Sequence, residues 1–596
     1  AGSDSARAAA AARLHTALAN ARRLSDAGVL LVAGTDAPYP GDFYGEGLHR
    51  ELELLVEAGL TPLQAIAAAT RNAALLLGQA DRWGTIESGK RADLLVVSGD
   101  PSRRISDSRN IALVMQQGRV VDRVSLRATP AMDPGYHTSG SVAASSQTPA
   151  RPAASPPIAF AHVTVIDVER GERLPDRTVL VDSGRIVRVE PATTARVPAG
   201  VQVVDGTGKY LIPGLWDMHT HLSREADLTL LVASGVTGTR VMWGTPAVLS
   251  WRPRIARGEL LGPTIVTAGR ILEGPPPPGL ADVIPTAGRA LITTAGEAVS
   301  EVRAQKAAGY DVIKVYNNLP REAYDAIVAE ARRQGMPVAG HVPFTVGLRG
   351  VFAAGQLSVE HLRGYAELLV PKDAPQQPGA DLRSRTLAWR FADTARIAAL
   401  ARETREARVW NTPTLATRIY HSPQDVVDRY LASPEASYMS PSARGRLQDR
   451  TRIPWLRNYT AEDFRLAGEG NLRQDHLLRA LRAAGAGLLA GTDIGPWGPS
   501  LHLELQYLVA AGLSPLDALR AATVNPARFL NAADTLGTIR PGARADLVLL
   551  DADPLTDIRS TSKISAVVVG GQLLDRARLG ELLETVKAAT GSASTP

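Results

Sequence analysis

Along the middle of the chain, short apolar runs alternate with stretches whose apolar residues recur every three to four positions. The runs fall at 215–221, 235–243, 263–269, 311–316, 336–341, 357–361, 409–415 and 487–493. Their length and β-branched content predict strands. Segments such as "EAVSEVRAQKAAGY" and "REAYDAIVAEARRQG" lie between some of them and carry a helical period. Eight strands with intervening helices predict an α/β fold, a closed parallel (β/α)8 or TIM barrel over 215–535. On either side, over 157–214 and 536–580, runs such as "HVTVIDV", "RTVLVDSGRIVRVE" and "ADLVLLD" are punctuated by glycine-containing turns. They predict a small β-sandwich built from both ends of the module. Segments 364–408 and 416–486 are long for barrel loops and contain helical stretches, so they are expected to cap the barrel mouth.

The final part of this pattern occurs twice. "LHRELELLVEAGLTPLQAIAAATRNAALLL" at 48–77 returns as "LHLELQYLVAAGLSPLDALRAATVNPARFL" at 501–530, and "GTIESGKRADLLVVSGDP" at 84–101 as "GTIRPGARADLVLLDADP" at 537–554. His49 and His502 are 453 positions apart, as are Gly84 and Gly537, and Asp93 and Asp546. Residues 1–128 therefore read as a partial copy of the module's C-terminal end. Residues 129–156, rich in Ser, Ala and Pro without an apolar period, read as a flexible linker.

Composition narrows the chemistry. The formal charge of +6 comes mostly from arginines scattered along the chain, which argues against a nucleic-acid partner. No apolar run is long enough to span a membrane. Cysteine is absent, so disulfides and thiolate sites are excluded, and any metal must use nitrogen and oxygen ligands. The chain opens at Ala1 without a signal-peptide pattern, which leaves a processed form or a longer exported precursor open, and with it the compartment. A homo-oligomer is likewise left open.

Several chemically capable residues fall at the ends of the predicted strands. In "LIPGLWDMHTHL" (211–222), Asp217, His219 and His221 share one face of the first strand, a spacing by which two imidazoles can converge on a cation. A structural histidine pair is the alternative. Lys314 interrupts the apolar strand "YDVIKVYNN" and shares a face with Val312 and Tyr316. A buried ammonium needs a carboxylate partner or loses its proton. The neutral amine could take up CO2 and become an anionic oxygen ligand. His341 in "MPVAGHVPF", His361 in "QLSVEHLRG" and Asp493 in "LLAGTD" end later strands. Asp493 could bind a metal and accept a proton, although Thr-Asp is also a helix N-cap signal. Barrel enzymes place their sites on that rim.

The ordered series "PGLWDMHTHL", "VIKVY", "GHVPF", "VEHL", "AGTD" and "GTIRPGARADLVLLD" resembles the amidohydrolase superfamily over about 157–580. The branch it resembles includes imidazolonepropionase-like and Xaa-Pro dipeptidase-like hydrolases. The lysine on strand four is the mark of the family's binuclear pattern. The resemblance implies two divalent ions, zinc by the family's habit. His219, His221 and Asp493 would hold one and His341 and His361 the other, with carboxylated Lys314 and a hydroxide bridging them. The hydroxide would attack a small-molecule amide while Asp493 carries the proton to the leaving nitrogen. Dipeptide-like or N-acyl amino acid substrates are expected. A lactonase or esterase on the same site and a non-catalytic barrel scaffold are the other readings.

Some dipeptidase-branch members carry a tyrosine two residues after the strand-five histidine, where this chain has Pro343. Tyr316 could take over that part or only pack in the mouth. Trp243 and Trp497, at strand ends, are expected to line the substrate pocket. His502 is a further candidate, but its twin His49 stands in a unit without a ligand set, which favours a structural role. The first unit offers Asp36 but no His-x-His, strand lysine or paired strand-end histidines, and is expected to be inactive.

Overall fold

A computed structural model describes residues 2–35, 45–121, 156–277 and 288–591. Contacts divide the chain into two compact units, Ala1–Ala143 and Ala144–Pro596. The second is an α/β structure. Parallel strands Leu215–Thr220, Val236–Val241 and Thr264–Thr267 form one sheet, with Val236–Val241 in the centre. Ile313–Val315, Val338–Gly340, Ser358–Glu360 and Trp410–Thr412 follow one another, also parallel, in a second. The bridge between Ala268 and Val312 links the two sheets. Apart from Thr264–Thr267, where alternate residues are buried, these strands are buried throughout or nearly so, as parallel strands covered on both faces must be.

The ladders are shorter than the apolar runs that predict them, because each run continues past its last ladder bond toward the site. Segment 487–493 departs most from expectation, since it forms no regular strand. A single parallel bridge joins Leu488 to Asn411, and two further bonds tie the segment to the first strand: Met218 N donates to Ala490 O and Asp493 N to His219 O, both at 2.8 Å. Asp493 then leaves the extended region at φ 51°, which ends any ladder there. Two short parallel strands, Leu272–Glu273 and Ala290–Leu291, are additional to those expected.

Helices between the strands are locally specified. Ala295–Ala308 starts on a capping box, Thr294 with Glu297, and stops at Gly309 in the left-handed region. Its neighbour Arg321–Arg333 buries Ala323, Tyr324, Ile327 and Ala331. One large core joins these faces to strand residues such as Leu215, Val241, Ile313 and Val359. Over the long segments, helices Leu382–Ala388 and Ala461–Ala484 are tied together by Arg383 and Asp463 at 2.7 Å. An eight-stranded sheet joins the two ends of this unit: Tyr210–Pro213 lies between Ile158–Asp167 and Leu547–Leu550. No described helix is long and apolar enough to cross a membrane.

The first unit has helices Gly2–Asp26, Glu46–Glu57, Pro62–Ala69 and Arg71–Leu76 and a three-stranded antiparallel sheet. Asp36 and almost all of the expected linker lie outside the described residues. Several of its hydrogen bonds recur in the second unit between corresponding residues. His49 Nδ1 meets Ser108 Oγ at 2.9 Å, as His502 Nδ1 meets Thr561 Oγ1 at 3.0 Å. Asn72 donates to Leu31 O, as Asn525 does to Leu488 O. Asp93 accepts from Gln117 N, as Asp546 does from Gly570 N. The surroundings differ. Leu95 and Val96 are more than half exposed, whereas Val548 and Leu549 are buried. In the second unit that strand is paired on both sides; in the first it has one neighbour among the described residues.

Candidate metal centre

Strand Leu215–Thr220 is buried at every position, and alternation puts Asp217, His219 and His221 on one side of it. Asp217 lies deepest. It accepts from Thr492 Oγ1 at 2.7 Å and from the Thr492 and His219 amides, while burial pushes its pKa up to about 7. His219 and His221 stand above it, at the end of the strand.

Nδ1 of three imidazoles is held from behind. His219 Nδ1 meets Glu360 Oε2 at 2.9 Å, His341 Nδ1 meets Asn317 Oδ1 at 2.8 Å, and His361 Nδ1 meets Thr414 Oγ1 at 2.7 Å. A ring gripped at Nδ1 presents Nε2 as its remaining ligand atom, the arrangement seen behind metal-bound histidines. The Nε2 atoms of His221, His219 and His361 lie 2.8, 3.6 and 3.8 Å from the Asp493 carboxylate. His219, His221 and Asp493 offer ligand atoms all within 4.8 Å of one another. The His341 ring stands 4.9 Å from that of His361, and its buried Nε2 has no hydrogen-bond partner.

Lys314 comes from the neighbouring strand end. Its Nζ is 3.2 Å from His219 Nε2, and the residue is 2 % exposed. No carboxylate lies within 4.0 Å of it among the described residues, so the ion-pair alternative is not what the side chain makes. Burial lowers the amine to about 8, against the opposing pull of Asp493 and Glu360. Burial also holds all four imidazoles below their ordinary value. Burial alone would raise Asp493, but His219, His221 and His361 outweigh it and keep the carboxyl ionised. The donor set, nitrogen and oxygen without sulfur, fits divalent cations.

Backbone conformation helps to aim these groups. His361, Leu362, Thr414 and Asp493 all have φ between 51° and 58°, uncommon for residues with a side chain. Such positions persist where the surroundings enforce them, and here they cluster at one rim.

Tyr316 stacks on His341 with ring centroids 3.8 Å apart. Trp243 and Trp497 meet His221 edge-on at 6.1 and 6.4 Å. His502 is not brought to the site, which corrects its candidacy for the substrate pocket. Nδ1 is engaged by Thr561 Oγ1, and Nε2 lies 3.1 Å from Ser234 O. Both ring nitrogens therefore serve structure.

Sequence reasoning misses the support behind the first strand. Arg240 and Glu360 are both fully buried and pair at 2.9 Å. Arg240 also reaches Met218 O, Ser358 Oγ and Thr412 Oγ1. Glu360 thus binds Arg240 and orients His219. A charged residue inside an apolar strand, as in "VTGTRVM", is the signal that could find this pair.

Comparison with known proteins adds an independent line. The model of the amidohydrolase family matches residues 4–121 and 306–574. The ochratoxinase of Aspergillus niger is 25% identical over 430 residues, covering 62% of this chain and 76% of the relative. The structure of a bottromycin amidohydrolase aligns with a TM-score of 0.56 and 27% identity, covering 74% of this chain and 92% of that one. A Xaa-Pro dipeptidase structure with bound methionine, at 21% identity and TM-score 0.52, covers 70% of this chain and all of its own, and shows likeness of fold alone.

Proposed function

The chain belongs to the amidohydrolase family and is a hydrolytic enzyme acting on carbon–nitrogen bonds, and from that premise we propose that it cleaves dipeptide-like or N-acyl amino acid amides at a binuclear zinc centre. His219, His221 and Asp493 would hold one ion, and His341 and His361 the other. The observation that carries this reading is the gripping of three imidazoles at Nδ1, which leaves Nε2 of His219 and His361 toward Asp493 and that of His341 buried without a partner. When bound, the ions supply Lewis-acid polarisation of the scissile carbonyl and acidify water.

The protein's own groups do the rest. Lys314 Nζ, as a neutral amine, would add to CO2, forming an N–C bond and releasing a proton, and the resulting carbamate would be an anionic oxygen ligand for the ions. One oxygen of the Asp493 carboxylate would hold the ion beside His221, and the other would take the proton from water and deliver it to the leaving nitrogen. Trp243 and Trp497 line one side of the site, and Tyr316, against His341, the other.

This reading is tested by elemental analysis together with an amide-hydrolysis panel. The purified protein is expected to carry about two divalent ions per chain and to release free amine. Lys314→Ala is expected to keep about one ion or none. A variant with both ions and full turnover would remove the carbamate from the scheme.

We read the eight parallel segments over 215–535 as a (β/α)8 barrel, with 157–214 and 536–580 as a small β-sandwich. The segment 487–493, bonded both to Asn411 and to the first strand, supports closure. Residues 1–128 are read as an inactive partial copy joined by a linker over 129–156. The recurring hydrogen bonds of His49, Asn72 and Asp93 support the copy. Removing residues 1–150 is expected to change kcat/KM and metal content less than twofold, on the order of ordinary assay scatter. A metal-free or inactive truncation would show that the first unit completes the site.

A further inference from the structure

Two guanidinium groups near His341 form no ion pair with a carboxylate among the described residues. Arg363 follows His361 by two residues. Arg385 comes from the helix Leu382–Ala388 and is 8 % exposed. Nε of each is buried without a hydrogen-bond partner, and no carboxylate lies within 4.0 Å of either group among the described residues. Arg385 hydrogen-bonds only to neutral groups, and the charges of Glu367 and Asp381 act on it from beyond ion-pair distance. Its Nη1 donates to Ala380 O at 2.9 Å, and its guanidinium lies 5.3 Å from the centroid of Phe344, three residues beyond His341. Asp381, close by in sequence, is committed to Ser384 as a helix cap.

Both positive charges act on the His341 ring, and they act on each other. Burial and the charge of Arg363 together lower Arg385 to about 9. Arg289, above Tyr316 at 4.4 Å, makes the contrast plain, because Glu273 neutralises it at 3.1 Å. Holding a buried and a half-buried guanidinium together without an ion-pair partner is unfavourable unless a ligand supplies the countercharge. Around His221, at the opposite end, Trp243 and Trp497 present apolar surface instead.

We propose that Arg363 and Arg385 anchor the free carboxylate of the substrate's amino-acid part beside His341, with the acyl part lying against Trp243 and Trp497. This deepens the amide-hydrolase reading and rests on it for the orientation. A planar carboxylate matches the guanidinium fork, which an ammonium would not do as well. The site is polar end to end: an acid-binding side, the hydrolytic centre, and an aromatic side. The substrate class is an N-acyl amino acid or dipeptide with an unblocked carboxyl and an apolar or aromatic acyl group. Arg363 and Arg385 touch the substrate away from the scissile bond, so they set KM more than kcat.

The test is calorimetric binding of N-acetyl-phenylalanine and of its uncharged amide to the purified full chain, with turnover of both measured in parallel. The carboxylate is expected to bind about 10²-fold more tightly than the carboxamide. In Arg385→Gln and in Arg363→Gln that preference is expected to fall below about tenfold. Arg385→Gln is also expected to melt about 2–4 °C higher, since it removes a buried charge that lacks a partner. That rise also establishes that the variant is folded, and a merely structural arginine would give a fall. Equal binding by the wild type, or a preference that survives in both variants, overturns the anchor. Discrimination that depends on the arginines without any amine release upholds the anchor and counts instead against amide hydrolysis.

Discussion

Asp493→Asn is expected to hydrolyse amides about 10³-fold more slowly than the parent chain while keeping its fold, because a carboxamide cannot accept the proton that the carboxylate accepts. The fold should tolerate the change for a definite reason. Residue 493 sits at φ 51°, and asparagine is among the side-chain-bearing residues most at ease there. The exchange conserves shape and keeps an oxygen for His221, whose Nε2 lies 2.8 Å from Oδ1. It loses the ionised group that burial opposes and the His219, His221 and His361 rings sustain. Stopped assays with matched melting curves distinguish lost chemistry from lost structure. If kcat falls less than tenfold, Asp493 is no proton carrier, and another group on that rim must take the role.

A second large effect is expected in stability. Glu360→Ala strips Arg240 of its carboxylate partner and leaves His219 Nδ1 without an acceptor, all at fully buried positions. Breaking a buried pair from one side costs about 3–5 kcal/mol. Urea unfolding should show this as a lower midpoint for the second unit. Replacing both partners together, Arg240→Met with Glu360→Leu, should cost far less, since no charge is then stranded. A single-variant loss under about 1 kcal/mol would mean that water reaches Arg240 or that the strand shifts to shield it. The double variant is also expected to bind metal more weakly, because the His219 ring is no longer oriented from behind.

Much of this site is legible in the sequence, and for simple reasons. His219 and His221 are two positions apart on a strand, so alternation alone puts them on one side. Lys314 stands out because an ammonium has no place in an apolar strand without a role. Arg240 carries the same signal, but a single sequence does not say whether a strand side chain faces the centre or the surrounding helices. Its meaning depends on Glu360, from a strand 120 residues away. Arg385 is less legible still, since it lies in a helical segment whose position over the site is set by tertiary packing against Ala461–Ala484. His502 is a candidate for which the structural reading, favoured by its twin His49, is the one the fold bears out. It follows Asp493 closely along the chain, yet its helix, Pro499–Ala510, turns the ring toward Thr561. The repeated bond of His49 to Ser108 shows that this direction belongs to the local motif, with or without a site nearby.

The sheet that unites both ends of the second unit has a bearing on how the protein is made. Arg173, on one of its early strands, meets Asp553 across 380 residues of intervening chain. A ribosome adding ~5–20 residues per second needs roughly 20–80 seconds to produce that stretch. For most of that interval Tyr210–Pro213 waits with the edge destined for Leu547–Leu550 uncovered. Open edges recruit wrong partners. Nascent chains of this protein should therefore depend on chaperones until the last strands emerge, and yields should respond to expression temperature more than the finished protein's stability would suggest.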